Sequence, residues 1–143
     1  MDYLLGKWEG EGSGEPGQGS GSFSFELSLD GNVVTRTSRS DYPAAGGRPA
    51  VHHEDFMVVF AEGGQLRASY FDNEGHVIHY LAAYVPESAT VIFTSAILEG
   101  QPRYRLRYRP LGADRVEVAF EVAQPGSASA FATYVKGVSR RVR

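Results

Sequence analysis

At 143 residues with a mild, mixed net charge of −3, the chain has the size of one domain and lacks the basic excess of a dedicated nucleic-acid binder. It has no cysteine, which excludes disulfides, thiolate metal sites and cysteine nucleophiles, and no apolar run approaches the ~20 residues of a membrane span. With no basic segment leading into an apolar stretch at the N-terminus, a cytoplasmic protein without a membrane partner is expected.

The chain reads as strand after strand. Trp8 lies in the run Gly6-Lys7-Trp8-Glu9-Gly10-Glu11-Gly12, which suits a first strand crossing the floor of a small barrel. There the indole plugs the floor, and Gly10 and Gly12 remove side chains where backbones approach. The Gly/Ser/Pro-rich stretch from Gly12 to Gly21 reads as a flexible rim loop. Phe23, Phe25, Leu27 and Leu29 then alternate with polar residues, and Asp30-Gly31-Asn32 turns the chain into Val33–Ser40. A Pro/Gly loop from Tyr42 to Pro49 leads to Val51–Phe60, Gly63-Gly64 marks a hairpin into Gln65–Asp72, and Asn73-Glu74-Gly75 turns into His76–Val85. Thr90–Ile97 follows Pro86-Glu87. Tyr104, Leu106 and Tyr108 alternate with Arg103, Arg105, Arg107 and Arg109, and Val116, Val118, Phe120 and Val122 with Glu117 and Glu121. The arginines read as a solvated outer face partnered by those glutamates. A final strand through Phe131, Thr133 and Val135 reaches the basic C-terminus. About ten strands with short connections, and no helical periodicity, predict an all-β, antiparallel up-and-down barrel spanning 1–143 as a single domain.

The Gly-x-Trp-x-Gly-x-Gly opening and the strand count resemble the calycin superfamily of lipocalins, fatty-acid-binding proteins and nitrobindin-type haem barrels. Val51-His52-His53-Glu54-Asp55, Tyr70-Phe71-Asp72-Asn73-Glu74-Gly75-His76-Val77-Ile78 and the Gly137-Val138-Ser139-Arg140 ending are similar to an uncharacterised family of bacterial single-domain barrels of that type. The resemblance implies a lipocalin-like barrel and brings no activity with it. Nitrobindin-type barrels ligate haem iron through a histidine near the C-terminus, whereas no histidine follows His79 here. No cofactor is expected, haem included.

The two turns set a register. With Gly63-Gly64 at a hairpin tip, Val59 faces Ala68, Met57 faces Tyr70 and Asp55 faces Asp72. A type I turn with a glycine bulge at Asn73-Glu74-Gly75 sets Asp72 level with His76. The inward row then reads His53, Asp55, Met57, Val59, Ala68, Tyr70, Asp72, His76, Ile78 and Tyr80, apolar at one end and carrying two carboxylates and two imidazoles at the other. Carboxylates about 5 Å apart in a shielded site call for a shared proton, an imidazolium, an arginine such as Arg36 or Arg39, or a metal, and are expected to titrate as a coupled pair.

The reading this supports is a barrel that binds a small, largely apolar molecule carrying one polar group. Tyr70, Tyr80, Tyr104 and Tyr108 would hold it around Trp8 and beside Met57, with His53, Asp55, Asp72 and His76 at the polar end. The alternatives are an enzyme using the His/Asp cluster for general acid–base chemistry, or an interaction domain with a filled barrel. No metal site and no Gly-x-Ser-x-Gly elbow is visible. On the opposite face Phe56, Val58, Phe60 and Phe71, flanked by Val77 and Leu81, would point outward, which predicts a homodimer through that surface.

Overall fold

The computed structural model describes residues 1–12 and 20–143. After a 3-10 turn at Asp2–Leu4, ten strands follow: β1 (Gly6–Gly10), β2 (Ser20–Ser28), β3 (Val33–Tyr42), β4 (Val51–Glu62) and β5 (Gln65–Asp72), then β6 (Val77–Val85), β7 (Thr90–Ser95), β8 (Arg103–Pro110), β9 (Arg115–Ala123) and β10 (Ala132–Val142). Each strand pairs antiparallel with its neighbour in sequence, and β1 pairs with β10, so the meander closes into an all-β barrel. Closure leaves no free sheet edge along the paired lengths. Most of the rim-loop stretch, residues 13–19, lies outside the described residues; Gly12 precedes it, and Ser20 and Gly21 already belong to β2. Among the described residues no helix is long and apolar enough to cross a membrane.

The turns behave as their residues dictate. Gly63 and Gly64 have φ of +58° and +76°, the double left-handed conformation of a two-residue hairpin, and Glu62 pairs with Gln65 across them. Gly75 has φ +90°, its N–H reaches the Asp72 carbonyl at 3.1 Å, and the Asp72 N–H reaches the His76 carbonyl at 3.3 Å. That is the expected bulged turn, and it sets Phe71 opposite Val77. Two details differ from the sequence reading. Leu29 leaves its strand for the turn at φ +52°, and Leu27, though on the inward parity, lies exposed past the end of the core. Likewise β7 ends at Ser95, leaving Ile97 and Leu98 exposed in the following loop.

One end of the barrel is closed by three pieces of chain. Leu4 enters from the 3-10 turn, and the Trp8 indole donates to the Leu4 carbonyl at 2.8 Å and stacks on Phe23 at 6.0 Å. Arg141 of β10 lies over the indole at 4.3 Å and donates to the Leu5 and Tyr3 carbonyls, both at 2.6 Å. First strand, last strand and N-terminal turn are thus tied at the seam. Phe25, Met57, Val59, Phe93, Tyr108 and Val116 fill the space above, all fully buried. Gly10 eases the meeting of β1 with β2, because a Cβ there would stand 3.3 Å from the Gly21 carbonyl oxygen, a tight contact. Three of the four arginines of β8 find the expected glutamates, Arg105 and Arg107 holding Glu121 and Arg109 holding Glu117, while Arg103 donates to the Ser95 and Ala128 carbonyls.

Candidate functional site

Strand parity carries the site. The registers place His53, Asp55, Met57 and Val59 of β4 beside Ala68, Tyr70 and Asp72 of β5, and these beside Ile78 and Tyr80 of β6. On the other flank, Ser40, Ser38, Arg36 and Val34 of β3 pair with His53, Asp55, Met57 and Val59. The far wall presents Tyr104, Leu106 and Tyr108 of β8, then Val122, Phe120, Val118 and Val116 of β9. Gly137 of β10 stands opposite Val118 and shares its inward parity.

Burial divides these residues into two layers. Trp8, Met57, Tyr80 and Tyr108 lie in the closed floor, where each is almost wholly buried. Ser38, His53, Tyr70, Ile78, Tyr104, Val118, Phe120 and Val122 also point inward, yet remain only half-buried, and Gly137 is exposed. A Cβ built on Gly137 would have no described atom within 4 Å. Among the described residues, these accessible inward-facing groups make this half of the barrel an open mouth. Among the described residues its wall is lower on one side, because β1 ends at Gly10 opposite Ser139, with one further hydrogen bond from Glu11 to Val138, while β10 continues to Ala132.

At the junction of the layers sits an ion pair. Arg36 and Asp55 are joined by a hydrogen-bonded salt bridge, and each side chain is only 7% exposed. The guanidinium lies 5.7 Å from the Phe23 ring centre and 5.9 Å from that of Tyr108. Burial works against its charge, and the facing Tyr108 and Asp55 more than offset this, holding Arg36 above its ordinary range. Of the two arginines proposed to compensate the carboxylates, Arg39 points outward to Glu54. The Arg36 Nε and the hydroxyls of Tyr80 and Tyr108 are buried without a hydrogen-bond partner. Burial pushes the hydroxyls of Tyr70, Tyr80 and Tyr108 up from their usual pKa, so they serve as neutral hydrogen-bonding groups.

From Asp55 a chain of polar groups climbs to the rim. His53 Nε2 lies 3.5 Å from the Asp55 carboxylate and 3.2 Å from the Tyr70 hydroxyl. Tyr70 donates its proton to Asp72 at 3.2 Å, so its oxygen accepts from the His53 Nε2–H. Asp72, 4% exposed, also accepts the backbone N–H groups of Glu74 and His76 at 3.0 and 2.9 Å and the His76 ring at 2.9 Å. Burial raises the Asp72 pKa, but these donors outweigh it and hold the carboxyl below its usual range. The structure therefore places Asp55 and Asp72 opposite one another on the inward face, as expected. Of the expected ways to compensate them, an arginine and a histidine are the ones present. Arg36 neutralises Asp55, and the Asn73–His76 turn with its imidazole neutralises Asp72.

His76 is the predicted site residue the structure moves outward: its side chain is 59% exposed at the rim, where it braces Asp72. Among the described residues no group of three or more His, Asp or Glu is arranged to hold a metal ion. A groove of about 420 Å³ lies on the outer wall instead, lined chiefly by outward side chains such as Lys7, Ser24, Thr37 and Glu54, and is separate from this cluster. Comparison of the chain with protein-family models and with curated proteins finds no match.

Three residues of the mouth escaped sequence reasoning. Gly137 looks like any strand glycine until the parity of β10 is known. Phe120 was on the right alternation, but its partner Tyr104 and its exposure emerge only from closure. Tyr134 is brought against Phe120 by a bulge between Thr133 and Val135, for which the sequence carries no glycine or turn signal.

Proposed function

We propose that this calycin-like barrel binds a small, largely apolar molecule in its open half, entered from the end where His53, Tyr70 and Asp72 meet the rim. The observation that carries this reading is the contrast between the packed floor and an upper layer whose inward side chains stay accessible, with no described atom within 4 Å of a Cβ at Gly137. A wholly filled barrel, the structural alternative, would bury both layers. The polar chain supports anchoring rather than acid–base catalysis. Asp72 is saturated with donors, Asp55 is engaged by Arg36, and the tyrosines are held protonated. The tyrosines, kept neutral by burial, hydrogen-bond without exchanging a proton near neutral pH.

Gly137 supplies the test. Its backbone is not left-handed and a Cβ there meets no described atom within 4 Å, so Gly137→Leu should fold and block the mouth. Titration of wild type with Nile red, a neutral polarity-sensitive dye, should saturate near one dye per chain, and the variant should lose that signal while keeping its melting temperature. Equal binding by both proteins would place the dye elsewhere and overturn the proposal.

We also propose self-association through the outer face of β4–β6. Phe56, Phe71 and Val77 form one cross-strand row there, and Leu81 stands nearby, all four exposed; Val58 and Phe60 are half-buried on the same face. The Arg39–Glu54 and Arg67–Glu62 pairs border the patch with both charge signs, which suits a two-fold contact with a second copy.

A further inference from the structure

Resting on that binding reading, the geometry points to the kind of molecule the mouth takes: we propose a flat aromatic compound with a neutral polar edge, its ring laid against the Tyr104–Phe120 stack and bordered by Tyr134. Tyr104 and Phe120 lie nearly parallel, 5.8 Å apart at 12°, on the inward face and half-buried, so the stack offers an unfinished aromatic surface to the mouth. Rings prefer to complete such stacks by offset or edge contacts, a preference that an alkyl chain of equal area does not share.

The β-bulge is an independent observation. It inserts Tyr134 between the outward Thr133 and the inward Val135 and sets its ring edge-on to Phe120, at 6.1 Å and 88°. Bulges at barrel rims re-aim a side chain at the cost of ladder pairing. Here the effect is to carry a third aromatic ring to the open side of the stack. Gly137, two residues beyond Val135 on the same face, adds no side chain there, and a Cβ on it would have no described atom within 4 Å.

The opposite wall decides the polar character. Ser38, His53 and Tyr70 offer hydrogen-bonding groups across the mouth. Charge does not favour an anion. Arg36 is already matched by Asp55, Asp72 adds a second carboxylate braced by His76, and Arg141 is committed to the floor. A carboxylate ligand would meet like charges and find no free cation on the inward face of the described residues. A hydroxyl or carbonyl on a ring meets neither penalty.

Calorimetric titration of the full chain with 2-naphthol, 1-decanol and 2-naphthoate separates the elements of the proposal. We expect 2-naphthol to bind at least about ten-fold more tightly than either of the others. Phe120→Leu should weaken 2-naphthol about five-fold, the size of one aromatic pair, and leave 1-decanol unchanged. Tyr134→Ala, at an exposed position where folding is not at stake, should act in the same direction. If 1-decanol binds as well as 2-naphthol, or both variants leave 2-naphthol unchanged, the aromatic assignment is overturned while the barrel remains a binder. Tighter binding of 2-naphthoate overturns the neutral edge. If no probe binds but Nile red still enters the wild-type mouth, this inference alone fails; if Nile red fails too, the binding reading falls with it.

Discussion

Replacing Asp55 with asparagine should be among the most damaging single changes in this barrel, although the two residues differ by one atom. The carboxylate is the counter-ion of Arg36, and both side chains are 7% exposed. Asparagine keeps a hydrogen-bond acceptor but leaves the guanidinium charge uncompensated between Phe23 and Tyr108. Breaking a buried pair from one side costs about 3–5 kcal/mol, a fifth or more of the ~5–15 kcal/mol that holds a domain together. At roughly 3 °C per kcal/mol for a chain of this length, the melting temperature should fall by about 9–15 °C. Arg36→Met should lose a similar amount by stranding Asp55. The double variant Arg36→Met/Asp55→Leu removes both charges and fills their space with apolar atoms, so it should return to within about 1 kcal/mol of wild type. Urea unfolding of wild type, Arg36→Met, Asp55→Leu and the double variant closes the cycle. Should the single losses simply add in the double variant, or Asp55→Asn cost less than about 1 kcal/mol, the pair is not the buried ion pair described here.

Two further outcomes follow from the rim and the outer wall. Asp72 holds the His76 imidazole above its ordinary pKa of 6.5, so the stability this pair contributes is complete below that value and fades as pH rises through the folded one. The Asp72 share is present above its ordinary 3.8 and is lost only as pH falls through its lowered folded value. The melting-temperature gap between wild type and His76→Ala should therefore be widest between about pH 4 and 6.5 and shrink as pH rises through the raised folded pKa, and a gap independent of pH would refute the pairing. Phe71→Glu at the centre of the outer apolar row should convert a dimer into a monomer in light scattering with little change in fold, and an unchanged molar mass would end the self-association proposal.

The turns explain why so much of the architecture was legible. Gly63-Gly64 and Asn73-Glu74-Gly75 each admit one low-strain hairpin geometry, and either turn determines the parity of every residue on the strands it joins. Asp55 opposite Asp72 followed from that alone. Leu29 misled because alternation continues past the point where the backbone turns left-handed; the Asp30-Gly31-Asn32 signal was recognised, but not that the turn begins one residue earlier. His76 misled for a related reason. A residue level with an inward partner need not point its side chain inward when it belongs to the turn, and its ring instead braces Asp72 from the rim.

What strand patterning could not show is the depth of the filling, because alternation reports which face a residue takes and not how far its neighbours reach. Tyr70, Tyr80, Tyr104 and Tyr108 are alike in pattern, yet Tyr80 and Tyr108 are sealed in the floor while Tyr70 and Tyr104 border the mouth. The difference arises from three long-range facts. The N-terminal turn and Trp8 occupy one end, β1 is half the length of β10, and Gly137 leaves its place on the wall bare. Each is mute until the barrel closes, since it concerns the distance across the interior and not the contacts along a strand. The ion pair belongs to the same boundary. Arg36 and Asp55 stand where the packed floor gives way to the mouth, with polar residues above and aromatic and aliphatic ones below. Burial there rewards a pair that neutralises itself, and the polar edge of a bound molecule need then supply no charge.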